Sequence, residues 1–76
     1  MITIKYFAGV REALGRDGDL LEADTVLTVG DVWNRVSDRP NLPARLLIAV
    51  NQEYAEMDQL IQDGDEVAFF PPVTGG

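Results

Sequence analysis

Thr28-Val29-Gly30-Asp31-Val32-Trp33-Asn34-Arg35-Val36 is the stretch that decides the fold. Val29, Val32, Trp33 and Val36 fall at i, i+3, i+4 and i+7, so they share one face of a helix. Thr28 is suited to cap that helix. Asp31, three residues later, takes the capping-box position, where its charge also complements the helix dipole. Pro40 disfavours helical geometry before it, which predicts a helix end near Asp38 or Arg39. Trp33 reads as a core anchor on the apolar stripe.

An amphipathic helix of this length must bury its stripe against something, and the flanking segments read as strands. Residues 2–7 alternate, with Ile2, Ile4 and Tyr6 on one face and Thr3, Lys5 and Phe7 on the other. Residues 8–14 suggest a short helical turn, and Gly15-Arg16-Asp17-Gly18 breaks the chain. Residues 19–24 read as a second strand, antiparallel to the first. After Asn41-Leu42-Pro43, the apolar run 46–51 reads as a buried central strand. Residues 51–57 form a turn with a short following strand, Leu60-Ile61 is an apolar pair, and Asp63-Gly64-Asp65 is a turn signal. Residues 66–70 are the last strand, and Pro71-Pro72 ends sheet pairing because neither can donate to a ladder. This order predicts an α+β, two-layer domain over 1–70, followed by a flexible tail over 71–76. Strand order is left open.

Composition removes whole classes of chemistry. The 76 residues suffice for one small domain, which buries roughly 60–65% of the surface its unfolded chain exposes. There is no cysteine and no histidine, so thiolate or imidazole metal sites and Cys/His nucleophiles are excluded. Thirteen acids against six bases give a net charge of −7, which repels nucleic acid and favours a partner with a basic docking surface. No apolar run approaches a membrane span, and the start lacks the basic segment of a signal peptide, so a cytoplasmic location is expected.

The body holds no convincing site. Asp63-Gly64-Asp65-Glu66 lacks the other ligand positions of a calcium loop, and no Gly-Lys-Ser/Thr follows Gly9, Gly15 or Gly18. The end of the chain differs. Pro71-Pro72 stiffens the exit from the sheet, Val73 and Thr74 favour extended backbone, and Gly75 and Gly76 could enter a narrow channel without steric cost. From these residues alone, an accessible carboxylate and an ordinary frayed end are equally good readings.

The run from Asp63 to Gly76, DGDEVAFFPPVTGG, resembles the C-terminal signature of the molybdopterin synthase small-subunit family, the MoaD-type sulfur carriers. The opening Tyr6-Phe7-Ala8-Gly9-Val10-Arg11-Glu12 resembles that family's Phe-Ala-x-x-Arg-Glu pattern, and Ala49-Val50-Asn51-Gln52 its central strand and turn. The likeness spans essentially the whole chain. It implies a ubiquitin-like β-grasp fold, a mixed sheet with one main helix packed on one face. It implies a three-stage cycle: an E1-like adenylating enzyme, using ATP and magnesium, turns the Gly76 carboxylate into an acyl-adenylate. Sulfur delivered as a persulfide replaces AMP to give a thiocarboxylate, whose sulfur is then donated to cyclic pyranopterin monophosphate. The implied partners are that enzyme and the large synthase subunit, in a heterotetramer whose catalytic pocket lies on the large subunit. No cofactor or metal is implied for this chain itself.

By the same resemblance Gly76 carries the sulfur, and Gly75 gives access to it. Val73 and Thr74 line the partner's channel, reached past Pro71 and Pro72, while Phe7, Tyr54 and Phe70 dock on partners. Tyr54 departs from a position that is often aliphatic. Arg11 is either a pairing residue for a partner's acid or a solvated charge. Related carriers for thiamine thiazole or tRNA thiolation share the Gly-Gly end, and the Phe-Phe-Pro-Pro-Val-Thr stretch argues against them. A β-grasp binding or modifier module, conjugated through Gly76, is the rival from another class.

Overall fold

A computed structural model describes residues 1–22, 27–37 and 46–72. The expected strand one is β1, Ile2–Tyr6, with Ile2, Ile4 and Tyr6 buried. Phe7 leaves the strand to cap α1, Ala8–Leu14, which closes on Gly15 in the left-handed conformation (φ 73°). β2 is Gly18–Leu21, antiparallel to β1 as expected, with Lys5 opposite Gly18. That pairing needs glycine, because a Cβ at Gly18 would lie 2.7 Å from the Ile4 carbonyl oxygen.

β3, Leu27–Thr28, leads directly into α2, Val29–Val36. The capping box forms as predicted: Thr28 Oγ1 accepts from the Asp31 N–H at 3.1 Å, and Asp31 Oδ2 accepts from the Thr28 N–H at 3.0 Å. The bond from the Thr28 N–H is the main reason the Asp31 carboxyl sits below its ordinary pKa. Two further N–H groups of the first turn find carbonyls across the fold, Val29 to Gln59 and Gly30 to Met57, both at 2.9 Å. The helix ends earlier than Pro40 alone implied. Ser37 is already extended, and its hydroxyl donates to the Trp33 carbonyl at 2.9 Å, competing for an acceptor at the helix end.

β4 (Leu47–Val50), β5 (Glu53–Tyr54), β6 (Leu60–Ile61) and β7 (Glu66–Phe70) complete the fold. The five-stranded sheet runs β2-β1-β7-β4-β5. β7 is parallel to β1 and antiparallel to β4, so it occupies the centre. β4 is therefore interior rather than central, and of its four residues only Ile48 is fully buried. β3 and β6 make a separate two-stranded sheet that the sequence reading did not anticipate.

The core lies between α2 and one face of the sheet, where Trp33 meets Phe69 with ring centroids 4.9 Å apart. At its margin the Tyr6 hydroxyl donates to Asp19 Oδ2 at 2.7 Å, and Arg16 Nε donates to the same oxygen at 2.6 Å. Arg16 also reaches the Val36 carbonyl through Nη2, and its guanidinium lies over the Tyr6 ring. One side-chain cluster thus ties β1, β2 and the end of α2 together. Burial, reinforced by the bond to Asp19, raises the Tyr6 hydroxyl well above its ordinary pKa. Partial burial opposes the Asp19 charge, but the bonds from Arg16 and Tyr6 outweigh it and hold that carboxyl below its ordinary value.

Candidate functional site

Strand alternation builds the site. In β7, Val67 and Phe69 point into the core, which turns Glu66, Ala68 and Phe70 to the face that α2 leaves uncovered. Neighbouring strands add to that face in register. Lys5 and Ala49 flank Ala68, Tyr54 stands opposite Ala49, and Leu47 stands opposite Phe70. Alanines keep the floor low while larger residues rise at its ends. The result is a groove of about 770 Å³, walled by Phe7, Phe70, Pro71 and Pro72 and floored by Ala8, Ala49 and Ala68.

The groove is lined mainly by apolar side chains. Its charged members pair with each other, Lys5 Nζ lying 3.4 Å from Glu66 Oε2. Among the described residues no cluster of acids is placed to hold a metal ion, and no helix is long and apolar enough to cross a membrane. The arrangement suits binding, with an apolar wall at the point where the chain leaves the sheet for its terminal glycines.

The residues named from sequence divide into three groups. Phe7, Phe70, Pro71 and Pro72 come together as walls of the groove, with Phe7 48% exposed rather than in the core. Tyr54 meets Phe70 from outside the groove in a tilted pair, with centroids 6.1 Å apart. Arg11 is exposed on α1 and borders a neighbouring hollow with Phe7, Lys5 and Leu20 instead of lining the groove. Val73, Thr74, Gly75 and Gly76 lie outside the described residues. Sequence reasoning missed Lys5, Ala8, Ala49, Gln52, Glu66 and Ala68 as lining residues. Parity in β1 and β7 already put Lys5, Glu66 and Ala68 on the face opposite the core set, so that signal was available.

The profile of the ThiS family matches residues 4–76. This chain belongs to the ThiS family. Along its full length this ThiS-family chain is 47% identical to the molybdopterin synthase sulfur carrier subunit of Escherichia coli (strain K12), all of which is covered. It superposes on the crystal structure of Haloferax volcanii small archaeal modifier protein 1 with a TM-score of 0.78. The two are 27% identical, over 95% of this chain and 97% of that one. The fold is also that of a chain in the protein–protein complex of subunits 1 and 2 of molybdopterin-converting factor from Helicobacter pylori 26695. There the TM-score is 0.67 at 18% identity, over 99% and 97% of the two chains. These neighbours bear out the expected ubiquitin-like, α+β architecture of a mixed sheet with helices.

Proposed function

We propose that this chain is the sulfur-carrier subunit of a molybdopterin synthase. The observation that carries the reading is the junction at the end of β7, where Phe7, Phe70, Pro71 and Pro72 gather beside the chain's exit toward Gly76. Four further residues reach at most about 14 Å. A partner that grips the groove therefore receives the terminal glycines in its own active site. The full-length likeness to a sulfur carrier subunit supports the same reading.

In this role the body binds and presents, and Gly76 carries the chemistry. An E1-like enzyme with ATP and magnesium adenylates the Gly76 carboxylate, turning a poor electrophile into an activated acyl group. The terminal sulfur of a persulfide then attacks the acyl-adenylate and displaces AMP to give an acyl disulfide. A second thiol cleaves that S–S bond, leaving a thiocarboxylate on Gly76 and a disulfide on the sulfur donor. The large synthase subunit takes the tail into a channel where Val73 and Thr74 line the way and Gly75 gives access to Gly76, and it uses that sulfur on cyclic pyranopterin monophosphate. We place this cycle in the cytoplasm, in a heterotetramer formed with the large subunit. The groove supplies affinity through apolar burial, and the net charge of −7 steers the chain toward basic surfaces.

Mass spectrometry tests the proposal directly. After incubation with the adenylating enzyme, ATP and a sulfur source, the chain should gain about 16 Da at its C-terminus, one oxygen exchanged for sulfur, as befits a group carrier. Deleting Gly76 should abolish that gain and molybdopterin formation while leaving the fold intact. An unchanged mass with a competent enzyme would defeat the reading. Attachment of the chain to target lysines instead would favour the modifier role suggested by its archaeal structural neighbour.

A further inference from the structure

Tyr54 is the most exposed large apolar side chain among the described residues, at 79%, and it sits on an edge strand of two residues. Its position is nonetheless firmly set. The turn before it places both Asn51 (φ 51°) and Gln52 (φ 70°) in the left-handed region, the geometry of a tight two-residue hairpin. Asn51 is then tied to the opposite turn three times. Its Nδ2 donates to Asp65 Oδ1 at 3.0 Å, its Oδ1 accepts from the Glu66 N–H at 3.0 Å, and its own N–H donates to the Glu66 carbonyl at 2.8 Å. The hairpin carrying Tyr54 is thus latched to the beginning of β7, while the Tyr54 ring leans on Phe70 at the end of it, tilted by 41°.

Phe70 is a wall of the groove and the last residue before Pro71-Pro72. A half-buried phenylalanine on an open sheet face has free rotamers unless a neighbour limits them. We propose that Tyr54 is a positioning residue: by packing its tilted ring against Phe70 it holds that ring as a preformed wall at the tail exit, and so sets affinity for the large synthase subunit. The inference rests on the sulfur-carrier reading above. Its physical basis is preorganisation, since a wall ordered before binding loses less side-chain entropy in the complex. Because Tyr54 is so exposed, its removal should leave the body's stability almost unchanged.

A double-mutant cycle against the purified large subunit tests this. Tyr54→Ala should weaken binding roughly threefold to tenfold when Phe70 is present, the range of a lost aromatic pair. It should cause no further loss in the Phe70→Ala background. Tyr54→Phe keeps the ring and should restore wild-type affinity, and thermal unfolding of both Tyr54 variants should match the wild type. In the free chain, Phe70 ring resonances should move on Tyr54→Ala and stay in place on Tyr54→Phe. Additive losses in the double variant, or Phe70 resonances indifferent to Tyr54→Ala, would overturn the inference while wild-type binding stands. Failure of the wild-type chain to bind the large subunit would instead overturn the functional reading and this inference with it.

Discussion

Two neighbours in β7, Phe69 and Phe70, have the same side chain and opposite duties. Phe69 is fully buried, packed against Trp33 and Tyr6 beneath α2. Phe70 faces the uncovered side, meets Tyr54 and forms a wall of the groove. The same contrast extends across the sheet. Ile2, Ile4, Tyr6, Ile48 and Val67 hold the domain together, while Lys5, Ala49, Glu66 and Ala68 shape a surface. Pleating separates the two by one residue, so stability and recognition can change independently in a domain too small to spare volume for both.

The comparison breaks most severely at Phe69. Phe69→Ala should cost about 3–5 kcal/mol, the range for a truncated core aromatic. A domain of this size has only about 4–11 kcal/mol to lose, so thermal denaturation should show a midpoint lowered by about 12–40 °C. Phe70→Asp is the sharper probe. It should weaken binding to the large subunit by about 2 kcal/mol, as for a central interface aromatic, with a smaller loss of stability. Equal losses of both would assign Phe70 to the core and erase the contrast.

The smallest expected effect is on pH dependence. The raised Tyr6 hydroxyl favours the fold below its unfolded pKa near 10, and that contribution is lost as pH rises further. The lowered Asp19 and Asp31 carboxyls contribute above the ordinary carboxylate range and lose that contribution as pH falls below about 4. Denaturant midpoints measured across pH should therefore form a plateau with both flanks falling. Tyr6→Phe should remove the alkaline flank. An alkaline flank that survives Tyr6→Phe would show that another group governs it.

Local patterns made much of this legible. β1 and β7 were readable because strict alternation has one good solution, and α2 because its capping box and apolar stripe agree. The walls of the groove were named through the family resemblance, but their assembly was not visible. Lys5, Ala49 and Ala68 are distant in the chain and become neighbours only through the pairing of β7 with both β1 and β4. The β3–β6 pair escaped for a similar reason. Two-residue strands have no period to detect, and their pairing depends on where α2 has already packed.

The sequence by itself determined the helix, the alternation of the main strands and the absence of thiol and imidazole chemistry. Those properties follow from residues close together in the chain, where backbone sterics and side-chain periodicity act. Only the tertiary structure decided that β7 lies at the centre, that Phe7 and Phe70 share one groove, and that Tyr54 leans on Phe70. Such choices depend on long-range pairing, in which burial of the α2 stripe selects among registers that local sequence leaves nearly equal.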